Sequence, residues 1–431
     1  MKDFISIQDA LTKGSGKVAI RGWVHRERGS NKLKFVVLRD VSNVVQCVLK
    51  QEDFEKRWDE IDKIQVEASM EVEGTLKKDE RAPSGFELRV TDFTIVGPSD
   101  KYPLTKDQSY EFSLDMRHLS IRNRKMTATL KIRSTIFGAI HEYFRSRGFF
   151  EFQSPSFTPN AAEGGSTLFK VDYFGKDIFL TQTWQLYAEA GIQALEKIYC
   201  IAPSFRAEKS KTSRHLTEYW HAEMEEAWCD FDQLQDHGEA LLKHIVAMVL
   251  KNNKEELTIL ERDISKLEPV VKKKFPRMSY DEALVLLEKK ANMKVVWGKD
   301  LRTHEEDALS KMYDTPIIIT RYPMAVKAFY MKEDPKNNKV VLGFDMIGPE
   351  GYGELIGASA REEDNDKLME QLRAEGANPA DYGWYLDTRK YGSVPHSGFG
   401  LGVERVIAWV CGLDSVKDAI AFPRTMTRVS P

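Results

Sequence analysis

Residues 204–228 combine several side chains that could bind a nucleotide. In SFRAEKSKTSRHLTEYWHAEMEEAW, Arg206 and Glu208 come first, a basic loop follows at 209–214, and aromatic and acidic residues then alternate. A guanidinium group can donate two parallel hydrogen bonds to a phosphate. An aromatic ring can stack on a base, and a carboxylate can accept from an exocyclic amine. An exposed hairpin with salt bridges would carry similar residues, so the segment alone leaves both interpretations open.

The alternation of residue types predicts two neighbouring strands that hold these groups. Side chains alternate between the two faces of a strand, so Arg206 and Glu208 share a face if 197–208 is a strand. In the returning segment one face is apolar, with Trp220, Ala222 and Met224. The other face is polar or aromatic, with Tyr219, His221, Glu223 and Glu225.

A second cationic element is predicted at residues 398–410, GFGLGVERVIAWV. Alternate glycines would let the backbone approach a ligand closely, and Arg405 falls in the first turn of a helix with an apolar stripe. A glycine-rich approach to a helix is typical of anion binding. The dinucleotide-binding GxGxxG pattern and the P-loop pattern are both absent from the sequence.

Length and composition limit the class of protein. The chain has 431 residues, which suits two or three domains, and its 42% hydrophobic and 30% charged residues are typical of a soluble globular protein. Because the net charge is −3, any nucleic-acid contact must come from local basic patches. The four cysteines show no CxxC spacing, which favours a reducing compartment over a zinc site or disulfides. Without an apolar leader or membrane-length segment, we expect a cytoplasmic protein with no membrane partner.

The first 98 residues predict a small β-barrel. Strands are expected at 18–24, 34–39, 44–49, 65–76 and 86–96, with a short helical insert at 52–62. Five strands in this spacing suit a Greek-key barrel such as an OB-fold, with a generic small β-domain as the alternative. Eight Lys or Arg residues lie between Lys13 and Arg39, against one acid, and Trp23, His25 and Phe35 lie among them. This mixture suits single-stranded RNA.

The remaining chain predicts a larger α+β domain. Residues 99–125 are expected to form a hinge or linker, and 126–431 the second domain. Apolar spacing predicts helices at 126–147, about 230–263 and 402–413, with strands near 316–331, 340–347 and 353–360. We therefore expect an antiparallel sheet flanked by helices.

Together these segments resemble the class II aminoacyl-tRNA synthetases, aspartyl/asparaginyl branch. The helix ending near Pro155 resembles the family's first motif, FRAE…RHLTEYWHAE its second and GLGVER its third. The N-terminal barrel resembles its anticodon-binding OB domain. Within the branch, residues 163–190, 327–335 and 389–405 resemble the archaeal type of the asparaginyl group. The resemblance covers nearly the whole chain.

The resemblance implies an enzyme that activates L-asparagine with ATP and transfers it to the 3′ end of tRNA(Asn). Arg206 would bridge the α-phosphate and the amino-acid carboxylate, and Arg405 would bind the γ-phosphate. Asp345 and Glu354, on facing sheet positions, would hold Mg²⁺. The other implied ATP ligands are Glu208 and Tyr219 at the adenine and Arg214 and His215 at the outer phosphates.

The implied amino-acid ligands are Glu163, Gln185, Glu189 and Arg361. Aspartyl enzymes carry a lysine where this chain has Ala188. The adjacent Glu189 would accept from the asparagine amide and repel aspartate. The chain departs from many relatives at Trp184, Ala358 and Ala360, which could reshape the pocket rim.

The resemblance also implies RNA contacts and a partner. Phe35 would stack on the central anticodon base, Gln46 would hydrogen-bond it, and Arg26 would support both. The 126–155 element implies a homodimer. The basic stretch 117–133 would contact the tRNA core or cap the dimer helix.

Three alternatives to this function stay open. The first is an aspartyl-tRNA synthetase, including one that charges both tRNAs, which the Ala188–Glu189 pair disfavours. The second is a paralogue that makes free asparagine through an adenylate, which the N-terminal barrel disfavours. The third is a non-catalytic RNA-binding protein, which intact Arg206, Glu354 and Arg405 disfavour.

Overall fold

The computed structural model describes residues 3–105, 107–162, 167–209 and 212–431. They fall into two compact units, Met1–Ser113 and Leu114–Pro431. The division lies inside the segment 99–125 for which the sequence predicts a linker.

The first unit is a closed barrel of five strands. A short helix, α1 (Ile7–Lys13), precedes the strands, and α2 (Trp58–Asp62) lies between the third and the fourth. The strands are β1 (Gly16–Ser30), β2 (Leu33–Arg39), β3 (Val44–Lys50), β4 (Ser69–Lys78) and β5 (Phe86–Gly97). They follow the order β1–β2–β3–β5–β4, and β4 pairs with β1 to close the barrel. The OB-type barrel predicted from the sequence is confirmed.

Two strand boundaries differ from the prediction by four residues or more. β1 continues to Ser30, because its polar second half pairs with β2 although it is mostly exposed. β4 starts only at Ser69, because the chain turns at Glu67, whose φ is +70°. Periodicity alone missed both, since pairing extended one strand and a turn shortened the other.

The second unit contains the remaining elements of the described residues apart from one helix. Helix α3 (Tyr110–Asp115) spans the division between the units. The helices of the second unit are α4 (Arg117–Ser120), α5 (Arg124–Arg145), α6 (Gln185–Leu195), α7 (Phe231–Asn252), α8 (Lys254–Ile259), α9 (Glu268–Lys272), α10 (Tyr280–Leu286), α11 (Thr303–Ser310), α12 (Asn365–Ala374), α13 (Gly383–Lys390) and α14 (Val403–Cys411). Its strands are β6 (Phe150–Glu151), β7 (Phe157–Thr158), β8 (Lys170–Tyr173), β9 (Lys176–Leu180), β10 (Lys197–Phe205), β11 (Glu218–Ala227), β12 (Arg277–Ser279), β13 (Ile317–Thr320), β14 (Glu333–Asp334), β15 (Asn337–Val341), β16 (Gly343–Gly348), β17 (Gly353–Ala360) and β18 (His396–Gly402).

An eight-stranded sheet forms the centre of this unit as described. Its order is β12–β13–β16–β17–β18–β11–β10–β6. The six central strands are antiparallel, as predicted, whereas β12 and β6 join the two edges in parallel. The predicted fold class, a barrel followed by an α+β domain, is confirmed.

Helices α5, α7 and α14 share one hydrophobic core with the central strands. α5 starts after Asn123, whose side chain accepts from the backbone N–H of Lys125. α7 starts with a capping box formed by Asp230 and Gln233. α14 ends at Gly412, whose φ is +70°. Among the described residues, none of the helices combines the length and apolar character needed to cross a membrane.

Candidate active site

The predicted nucleotide-binding hairpin consists of β10 and β11. β10 ends at Phe205, three residues short of the predicted bound at 208, so Arg206 and Glu208 lie just beyond the strand. The backbone N–H of Arg206 still donates to the carbonyl oxygen of Thr217 at 3.0 Å. This bond continues the pairing by one residue and holds Arg206 at the end of the sheet.

Two adjoining cavities contain most of the predicted ligands. The larger has a volume of about 1060 Å³, and its lining includes Gln185, Arg206, Asp345, Glu354 and Arg361. The smaller has a volume of about 120 Å³, and its lining includes Arg206, Arg214, His215, Tyr219, Glu354 and Arg405. Arg206 and Glu354 therefore lie where the two cavities meet.

The smaller cavity is lined by three arginines, Arg206, Arg214 and Arg405, and by two glutamates, Glu354 and Glu404. The guanidinium carbon of Arg206 lies 5.7 Å from the ring centre of Tyr219. Arg405 donates to the carbonyl oxygen of Glu354, and Arg214 donates to Asp307 at 2.9 Å. Converging guanidinium groups beside an aromatic ring suit a nucleotide with several phosphates.

His215 and Glu208 lie beside each other at the edge of this cavity. The carboxylate of Glu208 is 3.6 Å from Nε2 of His215, and Glu208 lies outside the lining that the described residues give either cavity. Burial lowers the pKa of His215; Glu208 opposes this change, and three neighbouring arginines lower the pKa further. His215 therefore favours its neutral form, in which it can donate one hydrogen bond and accept another.

Asp345 and Glu354 approach each other across β16 and β17, although they are not paired in register. Asp345 pairs with Gly357, and Glu354 pairs with Ile347 next to a bulge. The carboxylate of Glu354 extends over Gly357, where a Cβ would lie 2.7 Å from its Oε1. Because Gly357, the residue paired with Asp345, has no side chain, the Glu354 carboxylate can occupy the space above it.

A third carboxylate, which the sequence analysis did not predict, belongs to this group. Burial, together with the nearby charges of Glu354 and Asp345, raises the pKa of Glu306 to about 8. Burial also raises the pKa of Asp345 to about 6, although Lys327 donates to its Oδ2 at 2.7 Å. Crowded, buried oxygen ligands of this kind suit a hard divalent cation.

Arg361 lines the larger cavity as half of a buried ion pair. Its Nε and Nη2 each donate to one oxygen of Glu225 at 2.9 Å. Glu225 also lines the cavity, on the polar face that the sequence predicts for β11. The cavity wall therefore contains a guanidinium group and a carboxylate that are paired with each other.

Glu189 lies behind the cavity lining and has its own partners. Its carboxylate accepts from Nε2 of Gln185 at 2.9 Å and from the hydroxyl of Tyr385 at 2.8 Å. Arg389 also donates to it, and Nε2 of His396 lies 3.1 Å away. The structure thus brings Gln185 and Arg361 to the cavity but separates Glu189 from it.

The unusual Trp184 is accommodated by the core. Its indole N–H donates to the carbonyl oxygen of Phe152 at 2.7 Å, and its ring packs with Ala188 and Ile192. Trp184 and Ala358 both lie in the lining of the larger cavity, whereas Ala360 is buried outside it. Glu163, the remaining predicted amino-acid ligand, lies outside the described residues.

The predicted anticodon residues share the outer face of the barrel. Arg26, Val37 and Gln46 form one row across β1, β2 and β3. Phe35 is two residues from Val37, so its side chain is on the same side of β2. The intervening Val36 belongs to the barrel core, which identifies the row as the outer one.

A bulge in β1 enlarges this face. Trp23 and Arg26 are three residues apart and would point to opposite sides of a regular strand. The bulge between Val24 and Arg26 brings both to one side, where Trp23 pairs with Arg39 and Arg26 with Val37. Trp23 is 47% exposed, and the guanidinium carbon of Arg39 lies 5.9 Å from its ring centre.

Part of the basic stretch 117–133 is used inside the second unit. Arg117 is buried and donates to the carbonyl oxygens of Ala421 and Lys417, each at 2.8 Å. Arg133 donates to Glu404 at 2.7 Å. These two residues therefore hold α14 and the C-terminal segment.

Several residues of the site were not predicted. Glu225 had been placed on the polar face without a role, and Arg389 and His396 lie in the stretch 389–405 that carries the family resemblance. No sequence signal pointed to Glu306, because its helix carries the charged pattern of a surface helix. The unpredicted residues are Glu225, Glu306, Lys327, Arg389 and His396.

Comparison with protein families identifies the chain. Residues 109–426 match the family described as tRNA synthetases class II (D, K and N), and residues 18–96 match the OB-fold nucleic acid binding domain. The chain belongs to the class II tRNA synthetases. This confirms the family resemblance found in the sequence.

Full-length relatives place this class II synthetase among the asparagine–tRNA ligases. It is 46% identical over 430 residues to the asparagine–tRNA ligase of Thermoplasma acidophilum, covering 99% of this chain and 100% of the relative. It is 45% identical to that of Thermococcus gammatolerans, covering 100% of each. The ligase class predicted from the sequence is therefore confirmed.

Solved structures agree with this assignment. The asparaginyl-tRNA synthetase from Pyrococcus horikoshii complexed with asparaginyl-adenylate is 43% identical, with a TM-score of 0.96 and 100% of each chain covered. The aspartyl-tRNA synthetase from Entamoeba histolytica is 24% identical with a TM-score of 0.86, covering 100% of this chain and 93% of the other. The second likeness concerns the fold alone.

Proposed function

We propose that this class II synthetase activates L-asparagine with ATP and transfers it to the 3′ end of tRNA(Asn). The observation that carries the proposal is the position of Arg206 where the smaller cavity meets the larger one. A guanidinium group at that junction can contact a phosphate on one side and a carboxylate on the other. The full-length similarity to asparagine–tRNA ligases supports the same function.

ATP would occupy the smaller cavity and the junction. Tyr219 would stack on the adenine and Glu208 would accept from its amine. Both residues belong to one hairpin, since Glu208 follows β10 and Tyr219 lies in β11. Arg214, His215 and Arg405 would bind the outer phosphates. Arg206 would then hold the α-phosphate, where the charge of the reacting groups is greatest.

Asp345 and Glu354 would hold Mg²⁺, with Glu306 beside them. The donor set fits, because buried oxygen atoms with raised pKa values favour a bound cation over bare negative charges. A Mg²⁺ ion bound there would neutralise phosphate charge. Lys327, which already donates to Asp345, would contribute a fixed positive charge at the same end.

Both steps of the reaction, formation of the adenylate and transfer to tRNA, depend mainly on how the reacting groups are positioned. A carboxylate oxygen of asparagine attacks the α-phosphorus, a new P–O bond forms and pyrophosphate leaves with the electron pair of the broken bond. A ribose hydroxyl of the terminal tRNA adenosine then attacks the carbonyl carbon, loses its proton and expels AMP. The attacking carboxylate is already nucleophilic, so in the first step the arginines hold two anions together and no general base is required.

The amino acid would occupy the larger cavity between Gln185 and the Arg361–Glu225 pair. Arg361 would donate to the side-chain amide oxygen of asparagine, and Glu225 would accept from its amide nitrogen. An aspartate side chain would leave Glu225 facing another carboxylate, which costs affinity. Glu163 is proposed to hold the α-amino group.

The barrel would bind the anticodon through its outer face. Phe35 would stack on an unpaired base, Gln46 would hydrogen-bond its edge and Arg26 would contact the backbone. The alignment of these residues in neighbouring rows supports this role. Trp23 extends the same aromatic and cationic surface.

We also propose a homodimer in the cytoplasm. The rings of Phe157, Tyr173 and Phe174 are 49%, 44% and 93% exposed, and neighbouring rings lie 5.7 Å and 4.8 Å apart. An exposed aromatic cluster next to the 126–155 element is suited to a second copy of the chain. An active monomer in sedimentation velocity would contradict the dimer. The four cysteines are unpaired, which supports a reducing compartment.

ATP–pyrophosphate exchange tests the proposed function. We expect exchange with L-asparagine and at least about 100-fold lower kcat/KM with L-aspartate. Aminoacylation of tRNA(Asn) transcripts should follow. Exchange with aspartate alone would instead identify an aspartate-activating enzyme, and absence of exchange with either would exclude the adenylating function.

A further inference from the structure

The buried network around Glu189 suggests a role for residues that do not touch the substrate. We propose that Arg389, acting through Glu189, positions the side-chain amide of Gln185 so that its oxygen faces the amino-acid substrate. The inference rests on the proposed function, because it concerns the cavity in which asparagine would bind. Arg389 and Glu189 are then positioning residues, and Gln185 is the residue in contact with the substrate.

Glu189 is buried behind the cavity wall and held by its own partners. It is 1% exposed and lies outside the lining that the described residues give the larger cavity. Its Oε1 accepts from Gln185, and its Oε2 faces the hydroxyl of Tyr385, Nε2 of His396 and the guanidinium group of Arg389. Gln185, Tyr385 and Arg389 donate to its two oxygen atoms and the His396 ring lies beside them, so Glu189 acts on a ligand through its neighbours.

Arg389 fixes the charge of Glu189. Burial alone would raise the pKa of Glu189, but the guanidinium group of Arg389, with a smaller contribution from His396, holds it well below its usual range. The ionised carboxylate can only accept hydrogen bonds. Every hydrogen bond to Glu189 must therefore come from a donor group on the neighbouring residue.

Arg389 is itself held in one orientation. Its Nε donates to the carbonyl oxygen of Glu362 at 3.0 Å, and its Nη1 donates to the hydroxyl of Thr388 at 2.8 Å. Its Nη2 lies 3.0 Å from the hydroxyl of Tyr385 and also reaches Glu189. A planar fork makes these contacts together, whereas the single ammonium group of a lysine cannot.

The consequence appears at Gln185, which lines the cavity. The two ends of an amide side chain have nearly the same shape, so hydrogen-bond partners decide which end points where. Because Glu189 only accepts, the partner 2.9 Å away must be Nε2 of Gln185. The amide oxygen of Gln185 is then the end left for the cavity, where it offers an acceptor to an N–H group of the amino acid.

Two substitutions test this chain of contacts. Glu189→Gln keeps the shape but lets position 189 donate, so the Gln185 amide can turn. Arg389→Lys keeps the charge but removes the fork. In ATP–pyrophosphate exchange we expect KM for asparagine to rise about tenfold in each variant, with kcat within about threefold and KM for ATP unchanged.

Matched variants separate positioning from stability. Glu226 in β11 is also a buried, ion-paired glutamate, but it lies outside the cavity lining. In Glu226→Gln, KM for asparagine should therefore stay at the parent value. Tyr385→Phe removes one donor to Glu189 and one contact of Arg389 Nη2, but it leaves the hydrogen bonds from Gln185 and Arg389 to Glu189, so KM should change less than threefold. The shift in Tm produced by asparagine should fall in Glu189→Gln, while the shift produced by ATP persists.

The outcomes distinguish the inference from the function on which it rests. An active parent together with an unchanged asparagine KM in folded Glu189→Gln and Arg389→Lys would overturn the inference alone. A parent that does not activate asparagine would overturn both. If neither variant folds, Gln185→Met decides, because it removes the acceptor at the cavity surface, and an unchanged asparagine KM would then refute the proposal.

Discussion

At the residue scale, the magnesium end of the site contains more negative charge than the protein neutralises. The charges of Glu354 and Asp345 raise the proton affinity of Glu306, and Glu354 also raises that of Asp345, which pairs with Lys327. Burial removes the water that would otherwise screen these charges. The fold therefore places Glu306 and Asp345 where burial and neighbouring charge favour a bound proton or cation.

The pH dependence of stability should reveal this arrangement. The pKa of Glu306 rises from its ordinary value of 4.5 to about 8, so the folded state binds the proton more tightly than the unfolded state. The free energy of unfolding must then fall as pH rises through this window. In EDTA, we expect the free energy of unfolding at pH 8 to be lower than that at pH 6 by about 1 kcal/mol or more, measured by urea denaturation.

Magnesium and two substitutions provide the controls for that measurement. Mg²⁺ should reduce the loss at pH 8, because it binds the deprotonated carboxylates, and Glu306→Gln should remove most of the dependence. Glu305→Gln is the matched control. Burial would raise the pKa of Glu305, but Arg302 lowers it below its ordinary value, so it does not titrate in this window. If the full pH dependence of the free energy of unfolding persisted in Glu306→Gln, other groups would be responsible for it.

At the scale of the elements, adjacent strands bring ligands together that are distant in sequence. β16 carries Asp345 and β17 carries Glu354, and the bulge between Met346 and Ile347 shifts their register. The Glu354 carboxylate then lies over Gly357, the residue paired with Asp345. The sheet thus determines the separation of the two carboxylates, and a glycine leaves space for one of them.

Gly357→Ala should therefore impair the chemistry without unfolding the sheet. The added Cβ would lie 2.7 Å from Oε1 of Glu354 and displace that carboxylate. Because a misplacement of about 1 Å can cost about 100-fold in rate, we expect exchange to fall by that order and to need more Mg²⁺. Gly383→Ala at the start of α13 is the control, since its Cβ would meet nothing within 4 Å. Equal activity in the two variants would refute the spatial argument.

Sequence patterns predicted the faces of elements better than the contacts between them. The alternation of β11 correctly placed Glu223 and Glu225 on the cavity side, because that face depends only on the period of a strand. The contact of Glu189 with Arg389, 200 residues away, depends on how α6 packs against α13, which no local pattern encodes. Glu306 was missed for the same reason, since it reaches the site from a separate helix.

At the scale of the whole molecule, the two units would carry different parts of the reaction. The adenylating residues all lie in Leu114–Pro431, and the predicted anticodon residues all lie in Met1–Ser113. Neither unit contains both sets. Substitutions in one unit should therefore affect one step and spare the other.

Phe35→Ala and Arg206→Ala form the pair that tests this separation. Loss of a stacking ring costs about 1–3 kcal/mol, so Phe35→Ala should lower kcat/KM for tRNA(Asn) about tenfold or more and leave ATP–pyrophosphate exchange unchanged. Arg206→Ala should abolish exchange and retain tRNA affinity in filter binding. Val96→Ala, which removes an exposed apolar group elsewhere on the barrel, should change neither quantity. If a folded Arg206→Ala variant lost tRNA binding as well, the anticodon face would not bind tRNA independently, and the division of tasks between the units would be wrong.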